Sequence, residues 1–135
     1  MKLLIDANIL LDVLQKREPY VHASSLIWKM CEVGSAEGYV SSLTFSNLIY
    51  VMRKELSPEK IRETLQLLKL IFRLTDLTVS DITEAAEKKW PDFEDAIQST
   101  IAERIHADYI ITRNIRDFKE SQVIAFTPDE FFARI

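Results

Sequence analysis

The chain has 135 residues, 47% hydrophobic and 28% charged, which suits one core and one domain spanning residues 1–135. Its two glycines, Gly34 and Gly38, are too few for a phosphate-cradling loop, and the single Cys31 excludes an intrachain disulfide. A formal net charge of −4 argues against a simple electrostatic nucleic-acid binder but leaves room for acids gathered around a cation.

In chain order, Lys2 to Ile5 reads as a short buried strand. Ile9, Leu10, Val13 and Leu14 then recur at helical spacing until Glu18-Pro19 breaks the pattern. Tyr20 to Val33 predicts a helix stopped by Gly34, and Tyr39 to Ser41 a brief strand. Thr44 to Leu56 predicts a helix. Ser57-Pro58-Glu59 starts another, with serine as N-cap and proline in the first helical position, running to about Ile71. Phe72 to Thr78 predicts a strand and its exit, and Ser80 the cap of a helix reaching Lys88 or Lys89. Asp92 opens a helix to His106, Tyr109 to Thr112 and Val123 to Phe126 form strands, and Thr127-Pro128 starts a terminal helix. Short apolar strands alternating with amphipathic helices predict an α/β sandwich around a mostly parallel sheet. No segment is apolar and long enough to span a bilayer, and no export signal is recognisable, so a cytoplasmic protein is expected.

In open parallel sheets, ligands bind beyond the carboxyl ends of the strands. Asp6 follows the first strand, and Arg113 and Asn114 follow the strand YIIT, with Asp117 in the next turn. Asp92, Glu94 and Asp95 crowd the first turn of a helix, where free N–H groups tolerate negative charge. Three separate stretches thus bring acidic and amide oxygens toward one sheet edge. Such a set suits a hard cation, which serves phosphodiester hydrolysis without a covalent nucleophile. Each residue also has a plainer reading. Asp6 and Asn8 can end a strand and cap a helix, Asp92 with Asp95 resembles a capping box, and Asn114 and Asp117 are ordinary turn residues.

Three motifs in order, L-I-D-A-N-I-L-L-D, D-F-E-D-A-I-Q and I-I-T-R-N-I-R-D-F, resemble the PIN domain. More narrowly, the chain resembles the small bacterial PIN proteins related to the VapC-like ribonuclease toxins of type II toxin–antitoxin modules. The resemblance covers nearly the whole chain and implies a three-layer sandwich with a mostly parallel central sheet flanked by helices. It implies an endoribonuclease dependent on Mg²⁺ or Mn²⁺, a homodimer, an antitoxin partner and an RNA substrate. By the same resemblance, Asp6 and Asp95 are the main catalytic and metal-binding acids, with Asn114 and Asp117 contributing; Asp92 joins them as a catalytic and metal-binding candidate from its place at the helix start. Asn8, Asn47, Glu94 and Thr112 would support the site, and Arg113, Arg116 and Lys119 border it as candidate RNA-phosphate contacts.

Two positions depart from the pattern. Asn47 and Asn114 stand where relatives commonly carry acids, and a neutral amide weakens hard-cation binding. Asp92 and Glu94 are placed to supply the missing charge. A PIN module that binds RNA or a protein partner without cleaving is therefore the alternative reading.

Overall fold

The first strand explains the layering. The structure, a computed structural model, describes residues 1–135. In β1 (Lys2–Ile5), Leu3, Leu4 and Ile5 are all fully buried, as in a strand covered on both faces. Successive side chains point to opposite faces. Leu3 and Ile5 therefore join one core cluster, and Leu4 joins another.

The first cluster packs β1 against α1 (Ala7–Leu14), α2 (Val21–Glu32), α3 (Ser42–Val51), α4 (Pro58–Ile71) and α7 (Pro128–Arg134). The second is closed by α5 (Val79–Lys88) and α6 (Phe93–Arg104) through Ala85, Ala96, Ile97, Ile101 and Ala102. Small alanines let these helices lie close to the sheet. Arg104 joins the two helices: its Nε and Nη2 donate to the carboxylate of Asp81 at 2.9 Å each.

The sheet contains β1, β2 (Glu37–Ser41), β3 (Arg73–Thr75), β4 (Tyr109–Ile111) and β5 (Ala125–Phe126), in the order β3-β2-β1-β4-β5. Every pairing is parallel, so the expected mostly parallel sheet is wholly parallel. The chain builds outward from β1 to β3, then returns to place β4 on the other side of β1. That reversal opens a crevice at the carboxyl ends of β1 and β4. Gly38 in β2 is set by crowding, because a Cβ there would lie 2.6 Å from Cys31 Sγ and 2.7 Å from Phe72 Cδ1.

Several element ends differ from expectation. The helix expected to reach Leu56 stops at Val51, with the buried Met52 as its C-cap. Arg53 then donates to the Tyr50 carbonyl twice, from its backbone N–H at 3.3 Å and from Nη1 at 2.8 Å. Thr78, not Ser80, caps α5. Its hydroxyl accepts from the Asp81 N–H, while the Asp81 carboxylate accepts from the Thr78 N–H. Glu84 lies one residue too far from Ser80 to make that reciprocal pair. The helix expected to run to His106 ends at Arg104, and His106 sits in the left-handed region at φ 57°. The two outer strands are shorter than the stretches expected to contain them. The turn expected around Asp117 is a 3₁₀ turn, Ile115–Phe118, which follows β4.

Candidate functional site

Parallel pairing places the ends of β1 and β4 side by side. Ile5 pairs with Ile111, and the Asp6 N–H donates to the Ile111 carbonyl at 3.0 Å. Asp6 caps α1, with Oδ1 accepting from the Ala7 N–H at 2.9 Å. Its Oδ2 accepts from the Thr112 hydroxyl at 2.8 Å. Asn8 bridges the same two elements. Its Nδ2 lies 3.4 Å from Thr112 Oγ1, and its Oδ1 accepts from the Arg113 N–H at 3.2 Å. Capping and site-building thus coexist in one carboxylate.

The third segment is the start of α6. Asp92 caps that helix, accepting from the Asp95 N–H at 3.1 Å. The reciprocal bond, from the Asp92 N–H to the Asp95 carboxylate, does not form, unlike in the complete capping boxes at Thr78 and Thr127. Asp95 is therefore not consumed by the cap. Carboxylate oxygens of Asp92, Asp95 and Asp117, the last from the 3₁₀ turn, lie within 4.8 Å of one another.

These segments enclose a pocket of about 200 Å³ lined by Asp6, Asn8, Thr44, Asn47, Asp92, Glu94, Asp95, Gln98 and Asn114, with Ala7 and Leu43. No lysine or arginine lines it. The electrostatic consequence is large. Burial, and then the charges of Asp6, Asp92 and Asp117, push the Asp95 carboxyl up to about 7. Burial also raises Asp6; the Thr112 hydrogen bond opposes this, and the charge of Asp92 adds to it. An all-oxygen, net-negative donor set without a balancing side chain suits a hard divalent cation.

The two amides differ in their surroundings. Asn47 Nδ2 donates to Glu94 Oε2 at 3.1 Å, so Glu94 brings a carboxylate to the place where Asn47 supplies none. Asn114 lines the pocket without such a neighbour; its N–H donates to Thr112 Oγ1 at 3.0 Å. Three buried polar residues were not foreseen. Ser41 Oγ donates to Gln98 Oε1 at 2.8 Å, and Gln98 Nε2 donates to Thr44 Oγ1 at 2.8 Å. This network ties the end of β2 to α6 beneath the carboxylates. Gln98 lies three residues after Asp95 on the same helix face, which was the one available signal.

The three basic candidates separate. Arg113 is bound in an ion pair with the fully buried Asp12, with Nε and Nη2 at 3.0 and 3.1 Å from its oxygens. Its guanidinium stacks over the Tyr20 ring at 3.9 Å, and Ser24 Oγ donates to the same aspartate at 2.9 Å. Arg113 therefore braces the loop after β4 and is not a free phosphate contact. Arg116 and Lys119 are exposed, have no carboxylate partner within 4.0 Å, and line an adjoining cleft with Asp117.

A family model described as PIN domain matches residues 2–116. The chain belongs to the PIN domain family. As a PIN domain it is similar to a toxin–antitoxin complex from Klebsiella pneumoniae, at 20% identity and a TM-score of 0.72, covering 93% of this chain and 96% of that one. VapBC2 from Rickettsia felis, solved bound to a DNA fragment from its promoter, gives 16% and 0.70, with 94% and 98% covered. The Mycobacterium tuberculosis toxin VapC20, which cleaves the sarcin–ricin loop, gives 9% and 0.63, with 80% and 86% covered. At these identities the likeness is one of fold. No curated protein matches the sequence.

Proposed function

We propose that this PIN domain is a metal-dependent endoribonuclease and the toxin of a type II toxin–antitoxin pair. The observation that carries the reading is the convergence of Asp6, Asp92 and Asp95 on a pocket that no lysine or arginine lines, with a carboxylate oxygen of Asp117 within 4.8 Å of those of Asp92 and Asp95. Asp6 and Asp95 would hold Mg²⁺ or Mn²⁺, with Asp92, Asn114 and Asp117 contributing oxygens. Bound there, the cation would neutralise phosphoryl charge and make water a better nucleophile.

The chain's own residues do the positioning. The Ala7 N–H and the Thr112 hydroxyl fix both oxygens of Asp6, so its orientation is set before any ligand arrives. Asn8 locks Thr112 and the Arg113 backbone to α1. Glu94, held by Asn47, adds negative charge at the rim. Arg116 and Lys119 would take phosphates of the RNA outside the acid pocket. Water attack would leave a 5′-phosphate and a 3′-hydroxyl.

The fold neighbours in toxin–antitoxin complexes support an antitoxin protein as partner. Leu70 and Val79, 85% and 80% exposed, support a further apolar contact, for which a second copy of the chain is our reading. No helix is long and apolar enough to cross a membrane, which is compatible with the cytoplasmic location we propose. A non-cleaving PIN module remains the second reading, favoured by the uncompensated amide of Asn114.

Calorimetric Mn²⁺ titration of the wild type, Asp6→Ala and Asp95→Ala, each checked for folding, decides between the two. Saturable binding in the wild type, lost in both variants, is the expected result. A folded wild type that binds no Mn²⁺ at millimolar concentration would leave the non-cleaving module as the better account.

A further inference from the structure

A second cleft opens beside the acid pocket and shares Asp92 with it. Its volume is about 660 Å³. One wall is the α5–α6 connection, Lys88-Lys89-Trp90-Pro91, and the other carries Arg116 and Lys119. Asp92 and Asp117 form the border with the carboxylate cluster. The cleft therefore begins where the proposed chemistry ends.

Trp90 is its one large apolar surface. The indole is half-buried and meets the buried Phe118 edge-on, with centroids 6.2 Å apart and planes at 88°. It is held by the core and still lines the cleft. Lys89, Arg116 and Lys119 have no carboxylate within 4.0 Å, whereas Lys88 is paired with Glu103 at 3.0 Å. Glu120 is the remaining acid on the wall. A small apolar ligand is a poor match, because Trp90 has only charged and polar company apart from Pro91. An anchored aromatic ring flanked by unpaired cations matches a single nucleic-acid strand, whose bases stack and whose phosphates need neutralising.

We infer that this cleft is a nucleotide subsite, in which Trp90 stacks on a base adjacent to the scissile phosphate while Lys89, Arg116 and Lys119 hold neighbouring phosphates. The inference rests on the ribonuclease reading, from which the strand's position over Asp92 and Asp117 follows. Stacking tolerates every base. The subsite therefore sets where the strand lies and leaves sequence choice to other contacts.

The test uses a fluorescently labelled 2′-O-methyl hexanucleotide of mixed sequence, titrated in EDTA. The parent is Asp95→Asn, which removes one repelling charge and blocks the proposed chemistry. Adding Trp90→Ala is expected to weaken binding about tenfold, the order of one base–aromatic stack, with the salt dependence unchanged. Trp90→Phe restores most of the affinity. Arg116→Ala lowers the salt slope and leaves the effect of Trp90→Ala intact. Equal affinities of the folded Trp90→Ala variant and its parent would overturn the subsite, as would a parent that does not bind the hexanucleotide. Mn²⁺ calorimetry on the single Trp90→Ala variant keeps the two readings apart. Retained Mn²⁺ binding with lost oligonucleotide affinity supports the subsite. Retained Mn²⁺ binding with unchanged oligonucleotide affinity rejects it while sparing the metal site.

Discussion

Asp95 shows how a single residue serves the site at the expense of the fold. Its carboxyl is buried among three other aspartates and titrates at about 7, against about 4 in an unfolded chain. The folded protein therefore binds the proton more tightly than the unfolded one, and stability of the metal-free protein falls as pH rises from about 4 to about 7. Asp81 has the opposite sign. Burial works to raise it, but hydrogen bonds from Arg104 and Thr78 win, so its contribution is lost as pH falls through its depressed pKa. We expect Asp95→Asn to stabilise the metal-free protein by on the order of 2 kcal/mol above pH ~7, and to leave it little changed below pH ~4, where the carboxyl is protonated in both states. Urea denaturation at the two pH values measures this. A variant less stable than the wild type at both would mean that the carboxylate is structurally required.

The sequence disclosed most of the acid cluster because its members stand at strand ends and a helix start, positions that can be located without knowing the packing. Gln98, Ser41 and Thr44 were hidden for the opposite reason. Their roles come from hydrogen bonds between elements far apart in the chain, on residue types that are common in any helix. Arg113 was readable as a basic residue next to the site, but its tie to Asp12 was not, since 101 residues separate them.

Among elements, the loop after β4 depends most on that tie. Arg113→Ala leaves the fully buried Asp12 with Ser24 as its remaining side-chain donor, so we expect a loss of about 3 kcal/mol in chemical denaturation. The double variant Asp12→Leu/Arg113→Met is expected to recover much of it, because an apolar pair leaves no buried charge. Full recovery by Asp12→Ala alone would show that the pair contributes nothing. At β2, Gly38→Ala drives a methyl into Cys31 Sγ and the Phe72 ring, and is expected to cost about 1–3 kcal/mol, read as a lower urea midpoint. Strand and helix identities were legible here from apolar runs and caps. The ends were less so. Val51 ends α3 with Met52 as its C-cap, and Thr78 caps α5 because Asp81 answers it. The Thr78–Asp81 pair is itself local, three residues apart, and competes with Ser80 for the same role; no such signal marks the end of α3.

For the whole molecule, the acid pocket is also a junction. β1, β4 and α6 meet there, belonging to both faces of the sheet, and repulsion among their carboxylates weakens the junction. A ligand that binds the folded state alone stabilises it, by about 2.7 kcal/mol at a hundredfold excess over its Kd. Mn²⁺ is therefore expected to raise the melting temperature of the wild type, with Asp6→Ala and Asp95→Ala unresponsive. Because protons compete for the same oxygens, the shift should shrink below pH ~7. An equal shift in the wild type and both variants would place the ion elsewhere.

The central position of β1 has a consequence for the protein's own manufacture. A ribosome joins Asp6 106 residues before Thr112, and Asn114 and Asp117 come later still. The strand that carries Asp6 waits for β4 to arrive on its open side. Nascent chains stopping short of β4 have half a pocket and nothing to complete it. If the centre cuts RNA, its maker is shielded until β4 has been made. That delay needs no inhibitor, because it is written into the order in which the strands are used.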